Sequence, residues 1–274
     1  RNRISSYRLL PGDRDFGAAT EQTLAFTGGI LIRVAREMVA TAKALNLKVP
    51  QRDNVPQEYA ECLPHGHLAH NCGTRHAETV AEMVAMLTTE FLNLASGSES
   101  VRAASNSKPE DYDLCLAASL REERLRSLEF HFHNLQSQYD TYVSGTEAEH
   151  LDEDLIVLRG HASVVFHLLK TATVFAHYYE RHVNKPRCPI LGTVPRLVER
   201  DALLSVLMNY SITFIDQYIG CAVSLCQKML QRYAEVGEIE VGIPKYRGFH
   251  VRPSTLVARL TLHYGSKVPM RLED

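Results

Sequence analysis

Leu203-Leu204-Ser205-Val206-Leu207-Met208-Asn209-Tyr210-Ser211-Ile212-Thr213-Phe214-Ile215-Asp216-Gln217-Tyr218-Ile219-Gly220-Cys221-Ala222-Val223-Ser224-Leu225-Cys226 is the most apolar run in the chain. Asn209, Asp216 and Gln217 sit near its middle, where a carboxylate is costly in lipid, so it reads as a buried bundle helix and no membrane span is expected. Leu204, Leu207, Phe214, Tyr218, Leu225 and Met229 recur at steps of three, seven, four, seven and four. That period places them on one face of a helix running from about Pro195 to Val236, the spacing of bundle packing.

Upstream the same period repeats. Thr146-x-x-Glu149 has the form of a capping box opening a helix that lasts to about His182. Ser107-x-x-Glu110 has the same form and opens a helix towards Val143, with Arg121-Glu122-Glu123-Arg124 as a solvated charge run. Val80, Val84, Leu87, Phe91 and Leu94 define a helix from Arg75 to Ala95, and Ser96 to Lys108 reads as a small-residue linker. Leu24, Leu31, Val34, Met38 and Ala42 define another from Ala18 to Leu45, with Gly28-Gly29 as a candidate kink. Residues 1 to 17 read as a mobile lead-in, and a chain beginning at Arg1 reads as a fragment or a trimmed piece without a targeting peptide.

The 274 residues are 45% hydrophobic and 23% charged, which excludes disorder of the whole chain. Thirty Lys and Arg against 32 Asp and Glu leave a net charge of −2, so no global basic field exists and nucleic acid is not an expected partner. Six scattered cysteines read as reduced thiols of a cytoplasmic protein, with Cys221 and Cys226 as small core residues.

At Gly237 the period changes. Glu238-Ile239-Glu240-Val241-Gly242-Ile243 alternates polar and apolar residues, as does Lys267-Val268-Pro269-Met270-Arg271-Leu272, and both predict strands with one buried face. Between them Pro253 to Tyr264 predicts a helix closed by Gly265 at C′. The expected fold is therefore mainly α: a bundle over residues 1–236, serving sensing, docking or oligomerisation, then a partial α/β open-faced sandwich over residues 237–274.

The loop before that helix is Lys245-Tyr246-Arg247-Gly248-Phe249-His250-Val251-Arg252-Pro253-Ser254. Pro253 suits the first helical position, because its missing N–H has no partner to lose there. His250 then lies beside a helix N-terminus, where unpaired N–H groups and the dipole favour an anion. Arg252 adds charged hydrogen bonds to phosphate oxygens, and a neutral imidazole is a nucleophile, so the group suits a transient phosphohistidine. A His at a helix end also often does no more than cap or pack.

Gly248-Phe249-His250-Val251-Arg252-Pro253-Ser254 resembles the active-site signature of HPr, the phosphocarrier of the bacterial sugar phosphotransferase system: Gly, an apolar residue, His, any residue, Arg, Pro and a small residue. The resemblance covers about residues 237–274. It implies that His250 accepts a phosphoryl group from a phosphoenolpyruvate-dependent Enzyme I and passes it to an acceptor protein. Arg252, with Pro253, Ser254 and Thr255 of the first turn, is the implied phosphate-binding group. HPr has four strands and three helices, so only its first half is represented, and Pro269 departs from a strand that the family keeps inside its sheet. Such a protein is a phosphocarrier or a phosphorylation-controlled regulator rather than a conventional enzyme. Leu256 and Leu260 form an apolar strip expected to dock on the helical region or on a second subunit, which makes a homo-oligomer a candidate assembly.

The alternative function lies in the bundle: a helical ligand- or metal-binding protein whose HPr-like segment is structural. Cys62, His65, His67, His70 and Cys72 supply five zinc-type donors within eleven residues, at a spacing unlike the usual knuckles, and read equally as a surface His-rich loop. His161, His167 and His177 lie along one helix, either lining a pocket or packed in the core. No P-loop, dinucleotide fingerprint, Gly-x-Ser-x-Gly elbow or HExxH occurs, and no cofactor is expected.

Overall fold

A computed structural model describes residues 13–48, 80–183, 197–233, 239–242 and 251–269. These residues are helical wherever they are regular, and no strand occurs among them. The helices are α1 (Asp13–Ala44), α2 (Val80–Gly97), α3 (Glu99–Ala103), α4 (Tyr112–Ala118), α5 (Glu122–Tyr142), α6 (Glu147–Leu151), α7 (Asp154–Tyr178), α8 (Arg200–Val206), α9 (Thr213–Tyr233) and α10 (Val251–Tyr264). A π-helical turn, Tyr179–Val183, extends α7, and a second, Leu207–Ile212, joins α8 to α9.

The core is a four-helix bundle in which α2, α5, α7 and α9 each pack against two neighbours in that cyclic order. The apolar stripes explain this. Val84, Leu87 and Phe91 of α2 are buried, as are Leu125 and Phe132 of α5, Leu155, Val165 and Leu169 of α7, and Ile215, Ile219 and Met229 of α9. Phe91 meets Phe132 edge to face, with centroids 5.7 Å apart, the favoured approach for two ring quadrupoles. Cys226 is fully buried among apolar neighbours, which pushes its thiol pKa up and leaves it inert. Helix Asp154–Val183 is long and apolar enough to cross a membrane by length and composition, but half of that window is buried inside the bundle.

Helix boundaries differ from the sequence expectations in instructive ways. The stretch expected as one helix from Glu110 breaks at residues 119–121, with Arg121 extended, so that Leu120 turns inward and is wholly buried. Neither capping box closes as expected. Lys108, not Ser107, precedes the 3-10 turn Pro109–Asp111, and the Ser107 hydroxyl oxygen accepts from Cys115 Sγ instead. Thr146 does precede α6, but its hydroxyl donates back to the Val143 carbonyl, while Glu149 accepts from the Gly145 N–H and from the Tyr139 hydroxyl. The linker read into residues 96–108 is largely helical, with Val101 and Ala104 buried. α1 begins within the segment read as mobile, because Phe16 inserts between Tyr210, Phe214 and Tyr218, and it continues unbroken through Gly28-Gly29.

The partial sandwich expected over residues 237–274 is not seen among the described residues. Residues 239–242 and 266–269 are irregular, and Ile239, Val241 and Val268, expected on a buried face, are exposed. A strand is stabilised by its ladder and by what covers it, and alternation along one segment supplies neither. The helix between them does form and ends as expected, with Gly265 at φ 66°.

Candidate functional site

α10 begins at Val251, two residues before Pro253, so Pro253 lies in the first turn, where the amide groups have no intrahelical acceptor. Arg252, Ser254 and Thr255 are exposed in that turn, and the Thr255 hydroxyl donates to the Val251 carbonyl at 2.6 Å. His250 lies outside the described residues, and in sequence it immediately precedes this helix. The fourteen-residue helix is about 21 Å long and carries the positive end of its dipole at Val251.

The far end of α10 is anchored to the bundle. Gln227 Nε2 donates to the Leu262 carbonyl at 3.0 Å and the His263 carbonyl at 3.1 Å, and Gln231 Nε2 donates to the Gly265 carbonyl at 2.7 Å. Carbonyls of a last helical turn lack intrahelical donors, so two α9 glutamines do the work of a C-cap. Val257, Thr261 and Tyr264 face inward, with Tyr264 packed on the core. The Leu256 and Leu260 strip does not dock on the helical region: these residues are 60% and 50% exposed. α10 presents its other stripe because only that one carries Tyr264 and the carbonyls within reach of Gln227 and Gln231.

The other sequence candidates do not converge. Cys62, His65, His67, His70 and Cys72 lie outside the described residues, and among the described residues no three His, Cys, Asp or Glu side chains group as a metal site. His161 is buried against Tyr218, with ring centroids 5.8 Å apart, and burial pushes its pKa down to about 4. His167 is exposed beside Phe166, and His177 is exposed and paired with Glu122 at 2.9 Å. They therefore line no common pocket. A crevice between Leu87, Leu135, Tyr139, Leu158, Arg159 and Ala162 has about 10 Å³ of space, room for about one water.

A polar cluster that sequence reasoning missed joins the two π-helical turns. Asp113 accepts from the Tyr179 hydroxyl and from Arg200, and burial followed by the carboxylate contact raises the Tyr179 pKa. Tyr112 donates to Asn209 Oδ1 at 3.1 Å, and Asn209 Nδ2 donates to Ser205 Oγ. Nearby, the charge run expected to be solvated opens α5: the Glu122 N–H donates to Glu180 Oε1 at 2.8 Å, and the Glu122 carboxylate binds Arg126 and His177, which lower its pKa. The partners are too far apart in the chain to leave a local signature. π-helical turns are frequent at functional sites. Here, however, the clustered groups satisfy one another, as in a structural clasp between helices, while Ser211 Oγ of the second turn is buried without a hydrogen-bond partner among the described residues.

No protein-family model, curated protein or solved structure matches the chain.

Proposed function

We propose that the protein is a phosphocarrier or phosphorylation-controlled regulator in which His250 accepts a phosphoryl group from an Enzyme I-type donor. The observation that carries the reading is the coincidence of the Gly248 to Ser254 signature with a helix that begins at Val251. That start sets the positive end of the helix dipole beside Arg252 and next in sequence to His250. An unprotonated imidazole nitrogen of His250 attacks phosphorus, a new N–P bond forms, and the donor's bond to phosphorus breaks with its electron pair leaving on the donor. Arg252 and the helix end stabilise the charge spread over the phosphoryl oxygens. The reaction then runs in reverse onto an acceptor protein, and the bundle is the docking or oligomerisation module of a cytoplasmic regulator.

Incubating the protein with phosphoenolpyruvate and a cognate Enzyme I, then measuring intact mass, tests this. The expected result is a gain of one acid-labile phosphoryl group that His250→Ala abolishes and Arg252→Ala slows. The absence of strands among residues 239–242 and 266–269 favours a second reading, in which the segment is a structural remnant and the function lies in the helices. No mass gain supports that reading.

A further inference from the structure

We propose that the outer face of α1 is the seam of a homodimer, in which two copies of α1 pack antiparallel through alternating large and small residues. Leu24, Leu31, Met38 and Leu45 repeat every seven residues, and Gly28, Ala35 and Ala42 fall between them at the same interval. Seven-residue recurrence keeps both sets on one stripe, as in a helix-pairing seam. The bundle uses a different stripe. Phe16 and Thr23 are buried, Ala19, Phe26 and Ile30 pack on the core, and Thr20 bonds Tyr210. The seam residues instead are 59% (Leu24), 69% (Leu31), 67% (Met38) and 64% (Leu45) exposed, with Ile32 and Val39 alongside.

Three observations select a second copy as the occupant. First, Gly28 costs about 1 kcal/mol relative to Ala inside a helix, yet a methyl group there would meet nothing within 4 Å. The same is true of Gly29, off the stripe, so what Gly28 contributes is an open small layer on the seam that a second backbone can approach closely. Second, the pattern is self-complementary. With two copies antiparallel, Leu31 faces Ala35, Leu24 faces Ala42 and Met38 faces Gly28, and the two-fold axis repeats each layer. A parallel pair would set small against small and leave gaps. Third, Arg33, Arg36, Glu37 and Lys43 lie off the stripe, and Glu21, which continues the small series seven residues before Gly28, falls at the end of the seam, so identical copies meet without like charges at the centre. Leu24, Leu31, Met38, Ile32 and Val39 plus the small layers cover on the order of 500 Å² per copy, about 1,000 Å² in total, the lower bound for a specific interface.

Sedimentation equilibrium of the full chain tests this. A concentration-dependent dimer is expected, and Leu31→Asp combined with Met38→Asp should reduce it to a monomer of unchanged helical circular dichroism, because both side chains are exposed in the single copy. Ala35→Leu separates this seam from general stickiness: it adds apolar surface but fills the small layer, so dimer dissociation should increase at least about tenfold. Under oxidising conditions Leu24→Cys combined with Ala42→Cys should cross-link two copies, while Leu24→Cys alone should add no cross-link to the wild-type background. A monomer at every concentration, with the face covered by another segment or a different protein, overturns the proposal. So does a dimer that survives the double charge or is tightened by Ala35→Leu.

Discussion

Replacing Gly265 with Ala should loosen α10 without unfolding the bundle. Gly265 has φ 66°, where a side chain costs about 1–2 kcal/mol. The added Cβ would lie 2.9 Å from Gln227 Cβ, 3.0 Å from Cγ and 3.1 Å from Cδ. Because Cβ is fixed by the α9 backbone, no Gln227 rotamer relieves that contact, and α9 and α10 must separate. Separation weakens the α9 anchor, the two Gln227 hydrogen bonds to Leu262 and His263 and the Gln231 bond to Gly265, and loss of about two of these at about 1 kcal/mol net each adds about 2 kcal/mol. The total is on the order of 3 kcal/mol, or roughly a hundredfold shift towards undocked α10 at about 1.4 kcal/mol per tenfold. No residue of α10 is fully buried, and besides these hydrogen bonds its main hold on the bundle is the partly buried Tyr264. Native-state hydrogen exchange is the assay: α10 amides should exchange roughly a hundredfold faster while α2, α5, α7 and α9 keep their protection. Gln227→Ala, which removes these hydrogen bonds but not the backbone fit, should give roughly thirtyfold. Unchanged α10 protection in Gly265→Ala, or a loss spread over the whole bundle, would refute the reasoning.

His161 makes stability pH-dependent. Its folded pKa is about 4 against an unfolded 6.5, so the unfolded chain binds the extra proton first. Stability is full above about pH 6.5 and falls as pH drops to about 4, by at most about 3 kcal/mol. His161→Leu should flatten that part of a urea-unfolding profile, and an unchanged slope would count against burial as the cause. Arg232 pairs with the buried Asp152 at 3.0 Å and also with Asp154, so Arg232→Ala leaves a buried carboxylate without its counter-charge, held by the Asp154 N–H and Tyr233. The half-exposed guanidinium reduces the usual penalty for breaking a buried pair, to roughly 1–3 kcal/mol by chemical denaturation. Phe16→Ala removes the ring that ties α1 to Tyr210, Phe214 and Tyr218, and should cost about 3 kcal/mol, with faster proteolysis of α1 as the local readout. Proteolysis confined to the bundle would contradict this anchor.

The bundle was legible because its signal is local. Val84, Leu87 and Phe91, or Leu207, Phe214, Tyr218 and Met229, show a helical period whatever they later touch, and each is buried. Gly265 was legible for the same reason, since a left-handed C′ residue is a property of one position. The Gly248 to Ser254 signature and the helix following it were also readable along the chain, so the candidate site could be named from sequence. Whatever depends on a distant partner was not. The alternation at residues 238–243 and 267–272 gives the chain a pleat but no neighbouring strand, and the described parts stay irregular. The stripe of α1 reads like that of α9, yet one lies exposed and the other in the core, because burial depends on the surface that packing presents. Asp113, Tyr179 and Arg200 form a cluster only where chain breaks and π-helical turns bring three helical segments together. Periodicity is written within one segment, whereas pairing, burial and polar satisfaction belong to two or more segments, and only the packed chain supplies the second.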